Sequence, residues 1–137
     1  MKITTTAQYA IRIILYLALK PGISTIKEIG EAMNISPDYE IKITRTLKEA
    51  GFINITRGVK GGITLIKDPK TITLYDIIRA VDPSFCISTS TNDNKYFYGP
   101  FIKEKMDLYT CLVNIQSEIN KLLKNVSISS LILERNL

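Results

Sequence analysis

Apolar residues recur along this chain with two periods, and each period marks out elements. From Thr5 to Leu19, Tyr9, Ile11, Ile13, Ile14, Tyr16 and Leu17 fill nearly every side of a helical wheel. A helix of that kind is central and buried, or shared with a partner. Thr5 and Gln8 have capping-box spacing at its start, and Pro21-Gly22 stops it. A second helix is predicted from Thr25, with Glu28 three residues on, through Ile26, Ile29 and Met33 to a left-handed stop at Asn34. Ser36 then caps a third helix, with Pro37 at its first position, running to about Ala50 before Gly51. Two short helices joined by a few residues match helix-turn-helix geometry.

After Gly51 the period drops to two. Ile53 and Ile55 alternate with Asn54 and Thr56, and Ile63 and Leu65 flank Thr64 across Arg57-Gly58-Val59-Lys60-Gly61-Gly62. That pattern predicts a β-hairpin, and a hairpin following a helix-turn-helix is a wing. A fourth helix is expected from Thr73 to Val81. The helical period returns at Leu108, Leu112, Ile115, Ile119, Leu122 and Val126, whose spacings of 4, 3, 4, 3 and 4 form a heptad seam on a long helix from about Lys103 to Asn125. Ser127 to Leu133 has room for one short helix. The expected architecture is mainly α with a small hairpin: a winged helix-turn-helix domain over residues 1–82, an irregular segment over 83–102, and a dimerisation helix with a C-terminal segment over 103–137. The irregular segment holds Ser88 to Asn94 and the aromatic run from Tyr96 to Phe101, a candidate sensor or ligand region.

Composition narrows the function. The chain of 137 residues is 45% hydrophobic and 23% charged, ordinary for a soluble globular protein. No uncharged apolar run is long enough to span a membrane. The run Ile13–Leu19 follows Arg12, ends at Lys20-Pro21 and lacks a small-residue cleavage site, so it does not read as a secretory signal and a cytoplasmic protein is expected. The net charge of +5 is uneven: residues 1–70 hold 11 Lys/Arg against 6 Asp/Glu, whereas residues 71–137 hold 7 of each. A basic half beside a neutral half fits a nucleic-acid-binding module joined to another function. There is no histidine and there are two cysteines, Cys86 and Cys111, 25 residues apart. Histidine-based catalysis and histidine metal ligation are therefore excluded, and no zinc-knuckle spacing is present. No metal site and no enzymatic activity are expected.

The candidate binding residues follow from the predicted elements. On the third helix Ile43, Leu47 and Ala50 share an inward face, while Asp38, Lys42, Arg45 and Glu49 share another, the face a recognition helix turns to the major groove. Lys42 and Arg45 suit guanine edges or phosphates. Ser36, Asp38 and Tyr39 lie near the N-terminus of the third helix, a position that suits contacts with bases or backbone, and Thr25 is a further DNA-binding candidate. Arg57 and Lys60 sit on the wing, where an arginine can enter a narrow A·T-rich minor groove. A plain solvated helix face and an ordinary hairpin are the alternatives to each of these readings. The heptad seam serves either its own core or a second copy, and a homodimer is favoured.

Specific residues also resemble a known family. Met1 to Thr4, Tyr9-Ala10, Tyr16-Leu17-Ala18, Glu28-Ile29, Ser36 with Tyr39, Leu47 with Ala50-Gly51, and above all Arg57-Gly58-Val59-Lys60-Gly61-Gly62-Ile63-Thr64-Leu65 resemble the Rrf2 family of bacterial regulators. Pro69, Ile72, Leu74, Ile77, Ala80 and Cys111-Leu112 continue the match. The resemblance implies a homodimeric winged-helix transcription regulator, often a repressor, on a palindromic A·T-rich operator.

Two departures qualify it. Iron–sulfur members of the family carry three closely spaced cysteines before the long helix. Here Cys111 matches the third, Cys86 matches none, and Asn114 stands where some members have histidine. Cluster ligation takes four protein ligands, so no iron–sulfur cluster and no other cofactor is expected. Cys86 and Cys111 remain candidate redox sensors. The second departure is in the recognition helix, where the family's Tyr-Leu-Glu is Tyr39-Glu40-Ile41. Ile41 takes the place of a glutamate suited to a cytosine amine, and its side chain suits a thymine methyl instead. The competing functional class is a winged-helix module for protein contact without specific DNA binding.

Overall fold

A computed structural model describes residues 2–86 and 108–133. Its spine is α1 (Thr5–Leu19), which buries Ala7, Ala10, Ile13, Ile14 and Leu17. The cap is Thr4 rather than Thr5: the Thr4 hydroxyl accepts the Ala7 N–H at 3.2 Å. The spacing from Thr5 to Gln8 pointed one residue too far because the first turn begins at Thr5 itself. Lys20 ends the helix by donating its N–H to the Tyr16 carbonyl.

Helix α2 (Ile26–Met33) starts with a complete capping box, Thr25 Oγ1 accepting from Glu28 N and Glu28 Oε2 accepting from Thr25 N, both at 3.1 Å. Asn34 ends it at a φ of +55°. Helix α3 (Pro37–Glu49) opens on Ser36 with Pro37 in the first turn. Strands β1 (Ile53–Thr56) and β2 (Gly62–Leu65) form an antiparallel pair with Ile53 opposite Leu65 and Ile55 opposite Ile63. Helix α4 (Leu74–Val81) carries a second capping box, between Thr73 and Asp76. The last helices are α5 (Leu108–Lys124) and α6 (Ile128–Leu131).

The core lies where α1 meets α2, α3, α4, β2 and α6. Ile13, Ile14 and Leu17 of α1 join Ile29, Ile35, Ile43, Leu47, Phe52, Ile53, Ile63, Ile72, Ile77 and Ile128 in one apolar cluster. Burying a side chain of this size contributes about 1.5–3 kcal/mol each, so this cluster fixes the angle between the two helices of the motif. Ile128 brings the chain end back into that core. Its N–H donates to the Ile72 carbonyl at 2.8 Å, and Leu74 N–H donates to the Val126 carbonyl at 2.9 Å. Segment 126–131, grouped by sequence with the long helix, is thereby tied to the winged domain, and α5 packs on α4.

Candidate nucleic-acid interface

The binding candidates of α3 stand on its outer face. Asp38, Tyr39, Ile41, Lys42, Arg45 and Glu49 are exposed, whereas Ile43 and Leu47 are buried. Ala50, expected to face inward, is exposed: it is the residue where the helix ends, after the last inward turn at Leu47. Ser36 occupies the N-cap position but its side chain makes no capping bond. Thr25, also exposed, is engaged in its capping box at the start of α2.

The wing projects Arg57, Val59 and Lys60 into solvent. The turn between the strands holds Gly58 at a φ of +105°, a backbone state closed to most side chains, and Gly61 N–H donates to the Gly58 carbonyl at 3.0 Å. Among the described residues no carboxylate pairs with Lys42, Arg45, Arg57 or Lys60. Four cations per chain, on two neighbouring elements of one domain, thus keep their charge uncompensated by ion pairs.

Two features here were missed by sequence reasoning. The ring of Tyr39 meets Tyr9 of α1 edge-on at 5.8 Å and 73°, and the Arg12 guanidinium lies 5.5 Å over Tyr9. This Arg12–Tyr9–Tyr39 ladder anchors the start of α3 to α1 and brings a fifth cation toward the same end of α3. The second is Glu40. It is 1% exposed, and its Oε1 has no hydrogen-bond partner. Burial pushes its pKa from 4.5 up to about 7. Its other oxygen faces Gly30 of α2, where an added Cβ would stand 2.6 Å away, so glycine is the residue that lets the two helices close over the carboxyl. The signal was in the sequence as the inverted order Glu40-Ile41, which puts the acid on the inward position and leaves Ile41 50% exposed on the outer face.

On α5, Leu108, Ile115 and Leu122 are exposed while Leu112 and Ile119 are half-buried. The helix buries no residue fully, and a groove of about 510 Å³ runs along Cys111, Asn114, Ile115, Ile119 and Leu122. Val126, expected at the end of the seam, lies beyond the helix, which stops at Lys124; its carbonyl is used by α4. Lys124 caps the opposite face over the Tyr75 ring at 4.5 Å. The start of the long helix before Leu108, the segment Ser88–Asn94 and the aromatic run Tyr96–Phe101 lie outside the described residues.

Cys111 is exposed and Cys86 half-buried. Among the described residues no three Cys, Asp or Glu side chains come together as a metal site. With two thiols and no histidine in the whole chain, the donor set of one chain does not fit an iron–sulfur cluster that takes four ligands, mainly thiolates.

This arrangement of helix-turn-helix, cationic wing and long amphipathic helix defines a winged-helix regulator. A family model described as an iron-dependent transcriptional regulator, Rrf2, matches residues 3–134. The chain belongs to the Rrf2 family of transcriptional regulators, which are not enzymes. It is 41% identical over 86 residues to the HTH-type transcriptional regulator slr0846 of a Synechocystis strain, covering 61% of this chain and 58% of that protein. It is 34% identical over 97 residues to the HTH-type transcriptional regulator NsrR of Bacillus subtilis, covering 69% of this chain and 66% of that one. The matched segments therefore span less than two thirds of either relative. Among solved structures it is similar to CymR, the global cysteine regulator of B. subtilis, with a TM-score of 0.74 and 27% identity over 96% of this chain and 95% of that one. The structural match spans both the winged domain and the long helix. Among the described residues no helix is long and apolar enough to cross a membrane.

Proposed function

We propose that this protein is a cytoplasmic homodimer that binds a palindromic, A·T-rich operator and regulates transcription from it, most simply as a repressor. The observation that carries the reading is the pairing of exposed cations, without ion-pair partners, on α3 and on the wing that follows it. In this reading α3 enters the major groove, with Lys42 and Arg45 on bases or phosphates and Ile41 against a thymine methyl. The Ser36 hydroxyl, which makes no capping bond, Tyr39 and the start of α2 at Thr25 meet the backbone, and Asp38 accepts from a base amine. Arg57 and Lys60 follow the wing into the adjacent minor groove.

The exposed seam of Leu108, Ile115 and Leu122, with Leu112 and Ile119 beside it, pairs with the same seam of a second copy. A two-fold dimer then sets its recognition helices about 34 Å apart, one turn of DNA. In this reading Cys111, exposed along this groove, and Cys86 are the thiols through which oxidation would reach the dimer. No iron–sulfur cluster enters the scheme, for want of ligands.

The test is a titration of A·T-rich duplex DNA with the wild-type protein and with Lys42→Ala/Arg45→Ala at several salt concentrations. Phosphate contacts make affinity fall steeply with salt. The account expects the double variant to bind weakly and with a shallower salt dependence. Equal affinity and equal slope for the two proteins would remove α3 from the interface.

A further inference from the structure

Glu40 stands where the two helices of the motif touch. It comes from the first turn of α3 and is closed over by Gly30 of α2 and by Ile35 of the turn. Glu40 is 1% exposed and its buried Oε1 has no hydrogen-bond partner, so no donor at that oxygen compensates a negative charge. A neutral acid can remain in such a place; an ionised one must gain water or a cation. The way out is short. A cleft of about 590 Å³ lined by Ile26, Lys27, Gly30, Glu31, Ile35 and Pro37 borders Glu40.

We propose that the DNA-binding form of this protein holds a proton on Glu40, and that loss of this proton to solvent opens the α2–α3 elbow and weakens operator binding. This inference rests on the DNA-binding reading given above.

The charged surroundings favour the linkage. From α2, one cation and one acid, Lys27 and Glu31, line the cleft, and the remaining titratable group of that helix, Glu28, is engaged in the capping box. The titratable groups of α1 are Tyr9, Arg12 and Tyr16, and Arg12 is engaged over the Tyr9 ring. Helix α4 contributes Tyr75, Asp76 and Arg79, and β1 contributes none. On α3 itself Asp38 is the neighbouring acid. Burial is the cause that moves Glu40, to about 7, and none of these groups offsets it. Phosphates of a bound duplex add negative potential beside α3 and hold the proton more firmly. The chain has no histidine, so the usual source of pH response near neutrality is missing.

If only the protonated form binds, apparent affinity scales with the protonated fraction, and a midpoint of 7 gives about a tenfold loss between pH 6 and pH 8. The experiment is fluorescence anisotropy of one labelled duplex with full-length protein at pH 6, 7 and 8 and constant ionic strength. Wild type, Glu40→Gln and Glu40→Leu are compared, each shown folded by circular dichroism. The proposal expects a tenfold loss for wild type and near-constant affinity for both variants. Parallel pH profiles for the three proteins overturn it. Carboxyl carbon NMR of Glu40 in the free protein keeps the test independent of DNA. A titration midpoint near 7 upholds the proton site even where no operator has been found, and a midpoint below 5 overturns it.

Discussion

Replacing Glu40 by leucine should stabilise the fold, and the gain should grow with pH. In the folded chain the carboxyl titrates near 7 against 4.5 in the open chain. Between those values the folded state holds a proton that the unfolded state has lost, so stability falls as pH rises. The contribution of Glu40 is fully present below about 4.5 and is lost as pH rises through about 7. Each unit of displacement corresponds to about 1.4 kcal/mol, which places the total near 3 kcal/mol, most of it lost between pH 5 and pH 8. Leucine has a similar volume, carries no charge and faces the same Gly30 surface. It also removes the unpartnered Oε1, worth roughly a further 1–3 kcal/mol at every pH. The assay is urea unfolding of wild type and Glu40→Leu at pH 5, 6, 7 and 8 and one fixed protein concentration, so that any subunit association contributes equally. The stability gap between the proteins should widen by roughly 2–3 kcal/mol over that range. A gap that stays constant with pH would show that the carboxyl is hydrated in the folded protein, and the burial argument would fall.

Three other outcomes follow from the same structure. Leu47→Ala empties a fully buried site between α3 and the core and should cost about 2–5 kcal/mol in urea unfolding. Thr73→Ala removes the cap that accepts the Asp76 N–H and should cost about 0.5–2 kcal/mol, read as a lowered Tm with an unchanged fold by circular dichroism. Arg57→Ala should reduce the slope of log affinity against log salt by roughly 0.9 for each phosphate the arginine neutralises, or about twice that if both wings of a dimer contribute.

What could be read from sequence was local. The capping box at Thr25, the start of a helix at Thr73, the left-handed stop at Asn34 and the hairpin between Ile53 and Leu65 each depend on residues within a few positions of one another. The winged-helix fold followed from their order. What was missed depends on contacts between elements. Glu40 reads as a surface acid until α2 and Gly30 are seen to close over it. The contact between the rings of Tyr39 and Tyr9 leaves no mark in local spacing, because the two residues are far apart in the chain. Val126 continues a perfect heptad, yet the helix stops at Lys124 because Ile128 is drawn into the core and Leu74 takes the Val126 carbonyl. Periodicity counts residues along one helix and carries no information on the packing that ends it.

The measurement that bears most directly on the central claim is selection of bound sequences from random duplex DNA by the purified protein, at two salt concentrations. The account predicts enrichment of a two-fold palindrome with A·T-rich character, sharper at the higher salt, where sequence-independent phosphate binding is suppressed. Failure to enrich any sequence at either salt would contradict it and leave the cationic faces of α3 and the wing to a protein partner.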